Sequence, residues 1–227
     1  MKRIRWFAAK WPLSFRSLSA KMKAAPFRED SVDGFIIDRV RDNLITGRYV
    51  EKLTYQEVII DPFGSKNVFE RTEYRQLEFN LFSQFPHIEF QDPPRSTQGF
   101  VSRLTELNNF SLTVSSLPVD LLKWISNFQS LTAYEVLVDS LQISGFEMEP
   151  GVTARISIGG DKDVRQTLQR LTKGKRFDLE LVHLKIAHHD RAASIQLINT
   201  GAIKIDDDLL EDFLQHMRRS LPQPNSL

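Results

Sequence analysis

The sequence predicts an α+β protein, with antiparallel sheet built from tandem helix–strand–strand units and helices packed on one face. Three patterns predict it. Several stretches alternate apolar and polar residues with the period of a half-buried strand, as in Leu77, Phe79 and Leu81 against Glu78 and Asn80. Others repeat apolar residues every three to four positions, as in Leu121, Trp124, Ile125 and Phe128. Helix starts near residues 116, 161 and 206 recur at a spacing of 45, and two strand-like stretches follow each of the first two. A helix–hairpin unit cannot bury its apolar face alone, so stacked units give a sheet covered by helices on one side. Solenoid repeats lack paired strands and propeller blades lack an amphipathic helix, so neither fits this period.

Residues 1–30 read as a basic, disordered arm outside the fold. Eight Lys and Arg and no acid occur in the first 28 residues, although the whole chain carries 30 basic and 29 acidic side chains. The remainder therefore has 22 basic against 29 acidic groups, a formal charge of −7. Arm and body are electrostatically opposite, which implies different partners for each, or each other. Lys10 and Pro12 interrupt the apolar stretch that a secretory signal needs. Three readings of the arm stand: a tail preceding a true start at Met22, a functional basic arm, or an organelle transit peptide rich in Arg, Ser and Ala.

An N-terminal α+β subdomain is expected over 31–110. Ser31 reads as the cap of a helix carrying Val32, Phe35, Ile36, Val40 and Leu44, stopped by Gly47. Strands follow at Tyr49–Ile60 and Val68–Phe82, joined by the turn Asp61-Pro62-Phe63-Gly64, with a bulge near Tyr74 where the alternation fails. Pro86 breaks the run before a short strand, His87–Gln91. The loop Asp92-Pro93-Pro94-Arg95 precedes a helix through Phe100, Leu104 and Leu107.

A C-terminal subdomain is expected over 111–221. After a short strand at Phe110–Val114, a helix with Pro118 in its first turn leads into strands Leu131–Ser144 and Val152–Ile158. Gly159-Gly160 closes that hairpin, and Asp161 caps a helix with Val164, Leu168 and Leu171 inward, ended by Gly174. Strands Phe177–His188 and Ala193–Ile205 come next. Asp206 caps the last helix, with Leu209, Leu210, Phe213, Leu214 and Met217 inward. Residues 222–227 read as a frayed tail.

Composition narrows the chemistry. At 227 residues, 41% hydrophobic and 26% charged, the chain suits one large domain or two small ones, and sixteen Phe point to a Phe-packed interior. The absence of Cys excludes disulfides, thiolate zinc sites and a thiol nucleophile, and it fits a cytoplasmic setting. No apolar run has the roughly 20 residues of a membrane-spanning helix.

The densest histidine group is His183, His188, His189 and Asp190, residue types that ligate zinc, iron or manganese. Adjacent His188 and His189 would point to opposite faces of a strand, so the spacing favours a polar hairpin tip over a metal centre. The carboxylates Asp161, Asp163, Asp206, Asp207, Asp208, Glu211 and Asp212 fall at helix starts, where acids cap free amides. Gly159-Gly160-Asp161 lacks the Lys of a phosphate loop, and its acid repels anions. Arg3, Arg5, Lys10, Arg16, Lys21 and Lys23 of the arm, with Lys173, Lys175 and Arg176, form the candidate nucleic-acid or anion surface, together with Arg71, Arg75, Arg95 and Arg103 if they share a face. No serine stands in a nucleophile elbow, and a serine without a positioned base is inert.

The reading that follows is a non-catalytic binding or interaction protein, with a protein partner and no cofactor, using a sheet face or edge. A nucleic-acid binder acting through the arm is the alternative. A metal-dependent hydrolase or nuclease at the histidine group is the third. Ligand, partner and oligomeric state are left open by the sequence.

Overall fold

The computed structural model describes residues 1–188, 191–206 and 210–223. The protein is an α+β antiparallel fold, about 22% helix and 49% strand. It divides into two compact units, Ala9–Val114 and the discontinuous Met1–Ala8 with Ser115–Leu227.

The arm is a correction. Lys2–Lys10 forms strand β1 and Phe15–Ala24 forms helix α1. Ile4, Trp6, Ala8, Leu18 and Met22 are wholly buried. The reason is visible in the pattern: Ile4, Trp6 and Ala8 alternate with Arg3 and Arg5, as in a strand with a dry face, and Phe7 and Ala9 are buried on the other face. Apolar burial of this extent outweighs the repulsion among dispersed surface cations. Ser14 caps α1, its hydroxyl accepting from the Ser17 amide at 3.2 Å.

In the unit Ala9–Val114, strands β2 (Asp33–Arg41), β3 (Leu44–Ile60), β4 (Lys66–Phe82) and β5 (Ile88–Gln91) lie in the order β2-β3-β4-β5, and helix α2 (Gln98–Leu107) follows. The helix expected from Ser31 to Leu44 is instead β2 and the start of β3, joined across Asp42-Asn43. Its β-branched residues suit a strand, and the two-residue polar turn sets the hairpin. Gly47 is therefore no helix stop. It lies in β3, where an added Cβ would sit only 2.4 Å from the Ile36 carbonyl oxygen. No bulge occurs at Tyr74, since β3 and β4 pair without interruption from Leu44 with Phe82 to Ile60 with Lys66. The turn between them is held by Asp61 Oδ1, which accepts from the Phe63 and Ser65 amides. The core is aromatic: the Phe100 ring of α2 meets those of Phe79 at 5.0 Å, Phe90 at 5.1 Å and Tyr49 at 5.7 Å.

The other unit contains helix α3 (Leu121–Leu131), strands β7 (Glu135–Glu149) and β8 (Val152–Gly159), helix α4 (Arg165–Thr172), strands β9 (Asp178–His188), β10 (Arg191–Ile198) and β11 (Ala202–Ile205), and helix α5 (Leu210–Ser220), after the short strand β6 (Thr113–Ser116). The strand order is β1-β11-β10-β9-β7-β8. Its register lines up Ile4, Ile203, Leu197, Val182 and Leu141 as one buried row on one face. Helices α3 and α5 cover this face. Trp124 of α3 meets the Trp6 ring edge-on at 5.8 Å, and its Nε1–H donates to the Met217 carbonyl at 3.0 Å.

Four sequence expectations shift in this unit. Pro118 precedes the cap of α3 rather than entering its first turn; Asp120 is the cap, accepting from the Lys123 amide at 3.0 Å. Asp161 does not cap α4, whose cap position is Val164. Ala193–Ile205 is two strands, because Gly201 at φ +70° turns the chain between β10 and β11. The starts of the three helices, at Leu121, Arg165 and Leu210, lie later than expected. Leu209, Asp207, Asp208 and residues 224–227 of the expected frayed tail lie outside the described residues, as do the side chains of Leu210, Glu211 and Asp212. Among the described residues no helix is long and apolar enough to cross a membrane.

Candidate functional site

The face of the β1-β11-β10-β9-β7-β8 sheet opposite the helices carries an Asp–His–Ser relay. His183 on β9 faces this side because its neighbours Val182 and Leu184 point into the core. Its Nδ1 lies 2.5 Å from Asp139 Oδ1, and its Nε2 lies 2.6 Å from Ser194 Oγ on β10. Lys185 Nζ reaches the other Asp139 oxygen at 3.2 Å, and Lys185 is the direct cross-strand partner of Ser194.

A bulge positions the carboxylate. The β7–β9 register slips between Val138 and Ser140, so Asp139 is the extra residue. Such a bulge re-aims a side chain that regular pleating would send elsewhere. The bulged backbone is tied down on both sides: the Gly160 amide donates to the Asp139 carbonyl and the Val164 amide to the Val138 carbonyl, each at 2.9 Å. The connection from β8 to α4, which reads in sequence as a plain glycine turn, thus anchors the site.

The electrostatics place a hydrogen on His183 Nδ1. Burial pushes the Asp139 carboxyl up, but the hydrogen bonds and charges of His183 and Lys185 outweigh it and hold the group below its ordinary value. An ionised carboxylate only accepts, so His183 Nδ1 carries the hydrogen. Whenever the imidazole is neutral, Nε2 is the free lone pair and accepts from the Ser194 hydroxyl. A concavity of about 620 Å³ adjoins Ser194, lined by Val136, Leu137, Ala187, Ala192 and Ala193, with Glu135, Lys185 and Asp206 among its polar groups.

The predicted site residues fall elsewhere or in part here. His183 belongs to the relay. The His188 side chain, His189 and Asp190 lie outside the described residues. Among the described residues no group of three or more His, Asp or Glu is placed to hold a metal ion. Asp163 lies just before α4, where burial opposes and the Arg165 side-chain and amide hydrogen bonds win, holding its carboxyl low. Of the basic candidates, Arg3 is exposed on β1, and the Arg5 guanidinium lies over the Phe7 ring at 4.8 Å. Lys10, Arg16 and Lys23 are exposed on the other unit, where Lys21 donates to the Leu107 carbonyl at the end of α2 at 2.7 Å. Lys173, Lys175 and Arg176 are exposed, and Lys175 also donates to the Glu147 carbonyl at 3.1 Å. Lys21 and Lys175 thus serve backbone oxygens within the fold.

No serine stands in a local nucleophile motif, and at Ser194 the fold supplies the partner that the local sequence lacks. Asp139, His183 and Ser194 come from three strands, and no local motif joins them.

A second feature belongs to the unit Ala9–Val114. Beyond Lys52 and before Gln76, β3 and β4 continue as a two-stranded ribbon, with no further strand beside them among the described residues. Val58, Ile59, Ile60, Val68 and Phe69 are each at least half exposed there, and Phe63 at the tip is 94% exposed. Such clustering on a protruding element differs from isolated surface apolar residues.

Fold and sites together define an α+β antiparallel protein with a polar relay on one sheet and an apolar ribbon on the other unit. No known protein family matches the chain, and no curated protein does.

Proposed function

We propose that this is an interaction protein whose β3–β4 ribbon docks on another protein chain. The observation that carries the reading is the ribbon's exposed apolar cluster, Val58, Ile59, Ile60, Phe63, Val68 and Phe69. A two-stranded ribbon exposing apolar residues on both faces is marginal alone and gains stability from a partner surface or an added strand. Its charges are mixed: Glu57, Asp61, Glu70 and Glu73 stand among Lys66, Arg71 and Arg75. Phosphate-driven binding needs an excess of cations, so this composition favours a protein over nucleic acid. The chain itself qualifies as such a partner, since its own ribbon offers free strand edges.

The test is sedimentation of the intact protein over a wide concentration range, with a photo-crosslinking residue at Phe63. Association that V58E/V68E abolishes without changing the melting temperature supports the reading. A strictly monomeric protein whose Phe63 crosslinker captures no chain in the producing cell overturns it.

A further inference from the structure

A second activity, independent of the ribbon, sits on the other unit. We infer that Ser194 is a nucleophile for acyl transfer, with His183 as its general base, Asp139 as the residue that positions His183, and a short-chain carboxylic ester as the substrate class.

Each role follows from the geometry. Ser194 Oγ is 2.6 Å from His183 Nε2, within the reach that general-base activation of a hydroxyl requires. Asp139 holds the opposite ring nitrogen at 2.5 Å and thereby selects the tautomer that leaves Nε2 free to take the proton. The three groups are joined in the order carboxylate, imidazole, hydroxyl, which is recognised by roles and not by sequence position. The bulge that makes Asp139 the extra residue of β7 is a costly local departure, and it aims this one carboxylate.

The surroundings choose the substrate. The adjoining concavity of about 620 Å³ falls in the range of small-molecule pockets. Leu137, Ala187 and Ala192, on the same sheet face as Ser194, suit an acyl chain of a few carbons. Glu135 and Asp206 disfavour an anionic one. Lys185, the cross-strand partner of Ser194, holds Asp139 Oδ2 at 3.2 Å and so steadies the carboxylate that orients His183.

The chemistry balances without a further reagent. Ser194 Oγ bonds to the ester carbonyl carbon while its proton passes to His183 Nε2. The carbon–oxygen bond to the alcohol breaks, and the alcohol leaves with that proton. Water then attacks the acyl-serine, giving a proton to Nε2. The carboxylic acid is released as Ser194 recovers its hydrogen.

The test uses the intact protein with a fluorophosphonate probe and p-nitrophenyl butyrate. Peptide mapping should place the label on Ser194, and S194A should lose both label and hydrolysis. H183N and D139N should slow labelling by at least about a hundredfold, the scale of general-base catalysis. D139E should recover part of that loss, and K185Q should lower turnover while Ser194 still labels. Melting curves of each variant separate chemistry from folding. Absence of label on Ser194, or equal hydrolysis by wild type and a folded S194A, overturns the inference. The ribbon variant V58E/V68E keeps full labelling, so this activity and the docking role stand or fall apart.

Discussion

Asp139 and His183 lie on neighbouring strands but are not cross-strand partners. His183 pairs with Ser140, and Asp139 reaches its Nδ1 only because β7 carries an extra residue there. The contact depends on the bulge, and the bulge depends on backbone bonds from Gly160 and Val164. Stability and site geometry are coupled at this one position.

Asp139→Asn should therefore destabilise the protein at neutral pH by about 1–3 kcal/mol, the scale of a buried hydrogen bond to a charged group left imperfectly matched. The Asp139 carboxyl titrates below its ordinary value in the folded state. Its stabilisation is thus complete above the ordinary carboxylate range and is lost as pH falls through the folded value. Urea unfolding of wild type and D139N at neutral and acidic pH should show the difference shrinking with acidification.

Trp6→Ala should cost roughly 3–5 kcal/mol, as for other large aromatic truncations in a core. Trp6 is wholly buried and packs edge-on against Trp124. A disordered arm would tolerate the change without effect. Thermal melts of W6A beside the exposed-site control K10A distinguish the two.

Gly47→Ala should destabilise by about 1–3 kcal/mol, the usual cost of forcing extra atoms into packed structure. The new Cβ meets the Ile36 carbonyl oxygen, a backbone atom that cannot swing aside. Gly64, in the open turn of the ribbon, has nothing near its missing Cβ, although its φ of +86° still favours glycine. Chemical denaturation should rank G47A well below G64N, since Asn tolerates that conformation.

His87 gives a pH signature of its own. Its Nδ1 accepts from the Ala9 amide at 3.1 Å, and burial pushes its imidazole below the ordinary value. A group with a lowered folded pKa favours folding fully above its unfolded value of about 6.5 and progressively less below it. Stability should fall as pH drops from the unfolded value toward the folded one. Asn at position 87 preserves an acceptor near the Nδ1 position without titrating. H87N melts should flatten over that interval.

The legible parts of the fold were those with a single strong period. Leu121, Trp124, Ile125 and Phe128 admit only a helix, and Leu77, Phe79 and Leu81 only a strand. Residues 32–44 misled because Phe35, Ile36, Val40 and Leu44 satisfy helical spacing, while the register with β3 makes them strand. The Asp42-Asn43 turn was the available signal. In the first ten residues, charge density masked the alternation of Ile4, Trp6 and Ala8. His183 stands out in the sequence for its histidine neighbours and not for Asp139 and Ser194. Those partners reach it through sheet register and a bulge, and neither can be read from local spacing.

The pairing of β1 with β11 has a consequence for biosynthesis. Lys2 stands opposite Ile205, so β1 finds its partner only after all of the sequence between them has been made. Ala9–Val114 can fold while translation continues. Until β11 emerges, the apolar stripe of β1 stays uncovered, a natural handhold for chaperones, and its closure is slow because it is non-local.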